Sequence, residues 1–141
     1  MPEYPWMAIA RGEVGQQEIP GPEHNERVLE YLQSTTLGTP DNQRDETPWC
    51  SAFVNFCVNG AGYQGTDSAW ARSWLGWGQE AQELQPGVVV VLKRGKSSGH
   101  VGFWIDEDES SVCLFGGNQN DSVCEAWFSK DRVLGYREPA E

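Results

Sequence analysis

Three residues of types used in nucleophilic catalysis stand at Cys50, His100 and Asn118. Cys50 follows Thr47 and Pro48, which are favoured at the N-cap and at the first position of a helix, so the sequence predicts Cys50 in a first helical turn. The unpaired N–H groups and the positive end of the helix dipole lower the pKa of a thiol there and favour the thiolate. The alternative interpretation is a small core thiol, the commoner role for a cysteine.

His100 opens a predicted strand directly after a glycine-containing loop, which places its ring at a sheet end. If the strands on either side of the acidic turn 106–111 pair as a hairpin, residues near Gly117 lie opposite His100, and Asn118 lies within one or two positions of the histidine. A cysteine on a helix, a histidine on a strand and an amide on the next strand form a nucleophile–base–orienter arrangement. Considered separately, each residue also has a non-catalytic interpretation: His100 as an ordinary residue at a strand end, and Asn118 as a turn residue. The neighbours of Asn118 remain alternatives as the residue that orients the imidazole: Gln119, Asn120 and Asp121.

Helical periodicity predicts four helices in the first half of the chain, at 5–14, 23–34, from Pro48 onward, and at 69–77. The third buries an apolar stripe that begins at Cys50. In the fourth, Trp70, Trp74 and Trp77 recur at helical spacing. They indicate either a core stripe or an aromatic wall beside the cysteine that packs on a ligand.

The second half of the chain has the pattern of a sheet. Short β-branched and aromatic runs separated by turn residues predict about five strands, at 88–92, 100–105, 112–115, 123–128 and 133–137. Helices followed by an antiparallel meander indicate an α+β fold, and residues 1–141 are expected to form a single domain.

Composition excludes several classes of function. The formal charge of −11 argues against non-specific binding to nucleic acid or to an anionic membrane. No apolar run reaches the roughly 20 residues of a membrane span, and no signal peptide is visible at the N-terminus. We therefore expect a cytoplasmic protein or one exported by another route. With no CxxC pair and two histidines, a structural zinc site is not expected. Cys113 and Cys124 lie in neighbouring predicted strands, yet thiols are favoured for all four cysteines.

The order of these motifs resembles the NlpC/P60 and CHAP cysteine peptidases of bacterial cell walls: a cysteine on a helix, Pro86-Gly87 before an apolar strand, then Gly99-His100-Val101-Gly102-Phe103. Four segments resemble a small phage- and prophage-associated branch more closely. They are 6–10 with 18–22, 48–55, 71–75, and 116–119 with 134–137.

This resemblance implies a papain-like fold and hydrolysis of amide bonds in peptidoglycan without a cofactor or metal. It assigns the nucleophile to Cys50, the general base to His100 and the third triad member to Asn118. We expect Trp49, Arg72 and Trp74 in the substrate groove, with Arg72 facing a carboxylate of the stem peptide. Trp49 stands where many members have an aspartate, and Val88 replaces an acid before the first strand.

Several functions fit the resemblance. The hydrolase could be a stem-peptide endopeptidase or an amidase, acting as an endolysin or a toxin effector in the cell wall or periplasm after delivery by another route. The expected partners are peptidoglycan and an immunity protein or delivery apparatus. The alternatives are a non-catalytic phage structural or wall-binding module of the same fold, and an acyl or amide transferase.

Overall fold

The computed structural model describes residues 4–13, 50–66, 71–94, 98–119 and 122–139. Its helices are α1 (Trp6–Arg11), α2 (Cys50–Gly60), a first 3₁₀ helix (Ala71–Gly76) and a second 3₁₀ helix (Lys130–Arg132). The predicted helix at 23–34, the cap residues Thr47 and Pro48, and Trp49 and Trp70 lie outside the described residues. The predicted helix at 69–77 is a 3₁₀ helix in its described part, and α1 is shorter than predicted.

Within the described residues, six strands come after the first 3₁₀ helix. They are β1 (Gln79–Glu80), β2 (Val89–Arg94), β3 (Ser98–Glu107), β4 (Ser111–Gln119), β5 (Ser122–Ser129) and β6 (Val133–Glu138). The five predicted strands correspond to β2 to β6. The two residues of β1 are polar and exposed, so no apolar pattern marks them. The α+β class is confirmed.

The sheet has the strand order β1-β6-β2-β3-β4-β5, with every neighbouring pair antiparallel. The predicted meander is correct for β2 to β5, but β6 returns to pair with β2. In a flat sheet β5 and β6 would lie roughly 19 Å apart, yet only the second 3₁₀ helix joins them. The sheet must therefore coil. Arg132 in this connection donates from Nε to the carbonyl oxygen of Lys93 at the end of β2, 3.2 Å away.

Two apolar cores lie on the two faces of this coiled sheet, because β2 is apolar on both sides. The helix-side core joins α1, α2 and Trp74 to alternate sheet residues: Val89, Val91, Val101, Phe103 and Phe115. The inner core lies on the concave face and contains Val88, Val90, Leu92, Val112 and Leu114. Phe128 of β5 and Val133 of β6 pack against the inner core, which shows that the two ends of the sheet approach each other on that face.

Helix α1 is held on the helix-side core by a buried tryptophan. The Trp6 indole donates from Nε1 to the carbonyl oxygen of Gly87, 2.9 Å away, and stacks on Tyr4 with ring centroids 4.6 Å apart. Gly87 has a φ of +107°, and a Cβ there would lie 2.8 Å from Cβ of Tyr4. The turn at Pro86-Gly87 thus allows the N-terminal segment to approach the sheet closely.

Among the helices of the described residues, none is long and apolar enough to cross a membrane.

Candidate active site

Cys50 is the first residue of α2 and lies in the helix-side core, with 5% of its surface exposed. The apolar residues that follow at helical spacing, Phe53, Val54 and Cys57, are fully buried against the sheet. This burial places Cys50 at one end of the contact between α2 and β3. The predicted buried stripe of this helix is confirmed.

A buried polar network surrounds the residues next to Cys50, and the sequence reasoning missed it. The Trp74 indole donates from Nε1 to Oγ of Ser51, 2.9 Å away. Asn55 donates from Nδ2 to the backbone oxygen of Ser51 and to Oγ1 of Thr66, each 3.2 Å away. Ser73 Oγ lies 2.9 Å from Thr66 Oγ1. Ser51 and Asn55 are one turn apart on an otherwise apolar face, which is the signal that could have indicated the network.

Trp74 is fully buried, and its indole is a member of the helix-side core. A fully buried ring has no surface to offer a substrate, so the core interpretation of the tryptophan stripe applies to Trp74. Arg72 is half-buried on the first 3₁₀ helix, and a Cβ built on Gly99 would lie 3.3 Å from its Cγ. Arg72 is therefore next to the strand segment that carries His100. The third residue expected in the groove, Trp49, lies outside the described residues.

His100 is buried in β3, with 1% of its surface exposed. It pairs with Leu92 of β2, and its ring centroid lies 5.2 Å from that of Phe128. Residues directly opposite each other in an antiparallel pair point to the same face. Because Leu92 and Phe128 both pack in the inner core, the imidazole faces the inner core as well.

Cys50 and His100 therefore lie on opposite faces of the sheet in this structure. The sequence predicts them at a common seam between helix and sheet; the structure instead brings Cys50 beside the Ser51–Trp74 pair and His100 beside Phe128. It is Gly99, one residue earlier, that faces the first 3₁₀ helix. A one-residue change of register exchanges the two faces of a strand. A contact between the thiol and the imidazole thus requires the start of β3 to turn.

Asn118 lies near the end of β4, the strand that pairs with β3. The pairing of these strands ends at Phe103 and Phe115; continuing it by three residues would bring Asn118 opposite His100, but that position is beyond the last pair and in an irregular part of β4. The side chain of Asn118 lies outside the described residues, so the identity of the third triad member stays a prediction.

Two of the other cysteines, Cys57 and Cys113, are poorer candidates for a nucleophile. All four are thiols, as predicted. Burial, together with the nearby carboxylates of Glu125 and Asp106, raises the pKa of the Cys113 thiol to about 11. Cys57 is fully buried on α2. Within the described residues, no three His, Cys, Asp or Glu side chains come together in a group that could hold a metal ion.

Comparison with known families matches residues 42–118 to the CHAP domain. No curated protein matches the chain. The matched segment includes Cys50, His100 and Asn118 and runs from the residues before α2 to the end of β4. Since it covers more than half of the 141 residues, the chain belongs to the CHAP domain family.

Proposed function

We propose that this protein hydrolyses an amide bond in peptidoglycan with Cys50 as the nucleophile. CHAP domains have a papain-like fold and are typically cysteine hydrolases or amidases of peptidoglycan. The observation that carries the proposal is the position of Cys50. It opens a helix whose apolar face is packed on the sheet, inside the segment that matches the family.

The reaction proceeds through an acyl-enzyme. His100 accepts the proton of the Cys50 thiol, and the sulfur attacks the scissile carbonyl carbon. The backbone N–H of Cys50 donates to the oxyanion. The C–N bond then breaks, and the imidazolium gives its proton to the leaving nitrogen, which departs as an amine. Water attacks the thioester with His100 again as base, releasing a carboxylic acid and restoring the thiol. Asn118 holds the imidazole in the required tautomer.

This mechanism needs His100 on the helix side of β3. The strand segment that would turn is flanked by Gly99 and Gly102, which lack the side chains that resist a change of backbone conformation. The segment lies near the start of β3, which begins at Ser98. Such a turn requires the pairing of His100 with Leu92 and of Val101 with Val91 to break, while Phe103 can keep its pairing with Val89 and with Phe115.

Substrate contacts are proposed for Trp49 and Arg72. Arg72 is adjacent to Gly99, and its guanidinium can pair with a carboxylate of a stem peptide. The wall is anionic and the chain carries a formal charge of −11, so we propose that a delivery apparatus brings it to the cell wall or periplasm, as for an endolysin or a toxin effector with an immunity partner.

Digestion of purified sacculi tests the proposal. Wild-type protein, Cys50→Ala and a matched thiol control, Cys124→Ala, are incubated with sacculi, and the soluble fragments are identified by mass spectrometry. We expect fragments from the wild type and Cys124→Ala and none from Cys50→Ala. Fragment masses separate an endopeptidase cut within the stem from an amidase cut at the sugar junction. Equal digestion by Cys50→Ala, or none by any protein, would rule the proposal out.

A second candidate is a non-catalytic wall-binding module of the same fold. It is favoured by the opposite orientation of Cys50 and His100 across the sheet. Such a module would co-sediment with sacculi equally well as wild type and as Cys50→Ala, with no fragment released by either.

A further inference from the structure

The hydrogen bond between Trp74 and Ser51 constrains the position of Ser51, the residue that follows the proposed nucleophile Cys50. The donor and the acceptor are fully buried and lie 2.9 Å apart. An indole has a single N–H donor, so this bond fixes one direction in space. Ser51 follows Cys50 directly, and a bond to its side chain therefore fixes the rotation of α2 about its own axis at the thiol.

A second set of bonds anchors the next turn of the same helix. Asn55, fully buried, joins the backbone oxygen of Ser51 to Oγ1 of Thr66, and Thr66 Oγ1 is in turn 2.9 Å from Ser73 Oγ. Ser73 and Trp74 are consecutive residues of the first 3₁₀ helix. The start of α2 is thus tied at two levels to one short element.

The same 3₁₀ helix also touches β3 beside His100. A Cβ built on Gly99 would lie 3.3 Å from Cγ of Arg72, 3.7 Å from Cβ of Ala71 and 2.7 Å from the carbonyl oxygen of Leu92. The backbone before His100 is therefore seated closely between β2 and the 3₁₀ helix. One element of six residues contacts both the residue after Cys50 and the residue before His100.

We infer that Ser51 and Trp74 are positioning residues, which orient the Cys50 thiol and set its distance from the His100 segment through the 3₁₀ helix Ala71–Gly76. This inference rests on the proposed function, since it assigns the network a role in the reactivity of Cys50. A side chain held by a buried bond of this kind keeps a reacting atom within the narrow tolerance that catalysis requires.

The test measures the pH dependence of Cys50 alkylation by iodoacetamide, read by peptide mass spectrometry, in Ser51→Ala, Trp74→Phe and the double variant. We expect the midpoint of the pH–rate profile to rise by about one unit in each, because a misplaced thiol loses part of what favours its thiolate. The double variant should match the single variants, since both remove one bond. Ser51→Ala removes a single oxygen atom and carries the test if Trp74→Phe does not fold.

Trp77→Phe is the matched control. It removes an indole N–H that donates to the backbone oxygen of Gln64, 2.7 Å away, in the same aromatic cluster. Its alkylation midpoint should equal that of the wild type. A loss of packing alone would admit water to the buried thiol, which would lower the midpoint instead of raising it. The inference is overturned if the folded variants keep the wild-type midpoint, or if Trp77→Phe moves it equally.

The two proposals can fail separately. If the midpoint moves while wild-type protein releases nothing from sacculi, the hydrolase proposal fails and the positioning of the thiol stands. If sacculi are digested by wild type and the midpoint does not move, the positioning role fails and the hydrolase proposal stands.

Discussion

A thiol acts as a nucleophile only where its surroundings favour the thiolate, and the surroundings of Cys50 and Cys113 differ in this respect. Both thiols are buried, but Cys50 opens a helix, where the dipole favours negative charge. Cys113 is buried in β4, and Glu125 and Asp106 add negative charge nearby. Each of these causes favours the protonated thiol. Cys113 is therefore a structural residue.

This difference predicts a pH-dependent contribution of Cys113 to stability. Its pKa rises from 9.0 to about 11 on folding, so between these values the thiol is protonated in the folded chain and ionised in the unfolded chain. The unfolded state then binds fewer protons, and the free energy of unfolding falls as the pH rises. Two pKa units correspond to about 3 kcal/mol. Below pH 9 the two states are equally protonated and the contribution is constant.

Urea denaturation at about pH 8.5 and at about pH 10.5 measures this contribution. Burial also raises the pKa of Tyr4 and Tyr136, so the wild type loses stability with rising pH from several groups. Cys113→Ala removes this thiol and so isolates its contribution. Between the two pH values, the free energy of unfolding of Cys113→Ala should fall less than that of the wild type. An identical loss in the two proteins would show that Cys113 ionises alike in both states.

At this scale the sequence identifies candidate residues but not their surroundings. The sequence places Cys50 in the first turn of a helix, and the structure has it as the first residue of α2. The position of Asn118 opposite His100 stays a prediction, because the pairing of β3 with β4 ends before it. The side of β3 that His100 faces could not be predicted. The run Val88-Val89-Val90-Val91-Leu92, which leads into β2, is apolar at every position, so no alternation shows which face of the sheet meets the helices.

Among the elements, the segment that follows α2 must approach the helix closely for the polar network to form. A Cβ built on Gly65 would overlap Oδ1 of Asn55, whose side chain is fully buried and hydrogen-bonded on its other atom. Gly65→Ala should therefore lower the free energy of unfolding by about 1–3 kcal/mol, through overpacking and through displacement of Asn55. The midpoint of urea denaturation measures the change.

Gly76→Ala is the matched control for this substitution. Gly76 ends the first 3₁₀ helix, and a Cβ there meets nothing within 4 Å. Its effect should stay within about 0.5 kcal/mol. Equal losses in the two variants would mean that the segment around Gly65 can move away from α2 at little cost.

The elements themselves were largely predictable, because β-branched runs between turn residues mark strands reliably in this chain. The tryptophan-containing helix at 71–76 was harder. The tryptophans Trp70, Trp74 and Trp77 recur at intervals of four and three residues, and this spacing does not distinguish an α helix from a 3₁₀ helix. The pairing of β6 with β2 depends on the coiling of the whole sheet, which no single segment encodes.

For the molecule as a whole, the coiled sheet separates two environments. Helices α1 and α2 and the first 3₁₀ helix cover one face, and the second 3₁₀ helix brings β5 and β6 together around the other. The proposed reaction requires Cys50, which lies on the helix side of the sheet, to contact His100, which faces the inner core. Gly99 lies near the start of β3, an interior strand of the sheet, and is next to the first 3₁₀ helix.

The most direct test of this account compares the pH–rate profile of Cys50 alkylation in wild type and in His100→Asn. If the imidazole pairs with the thiol in the working protein, the wild-type midpoint lies below the value of about 8.5 of an ordinary thiol, and His100→Asn raises it by at least about one unit. An unchanged midpoint in folded His100→Asn would contradict the account, because His100 would then remain in the inner core and play no part in activating Cys50.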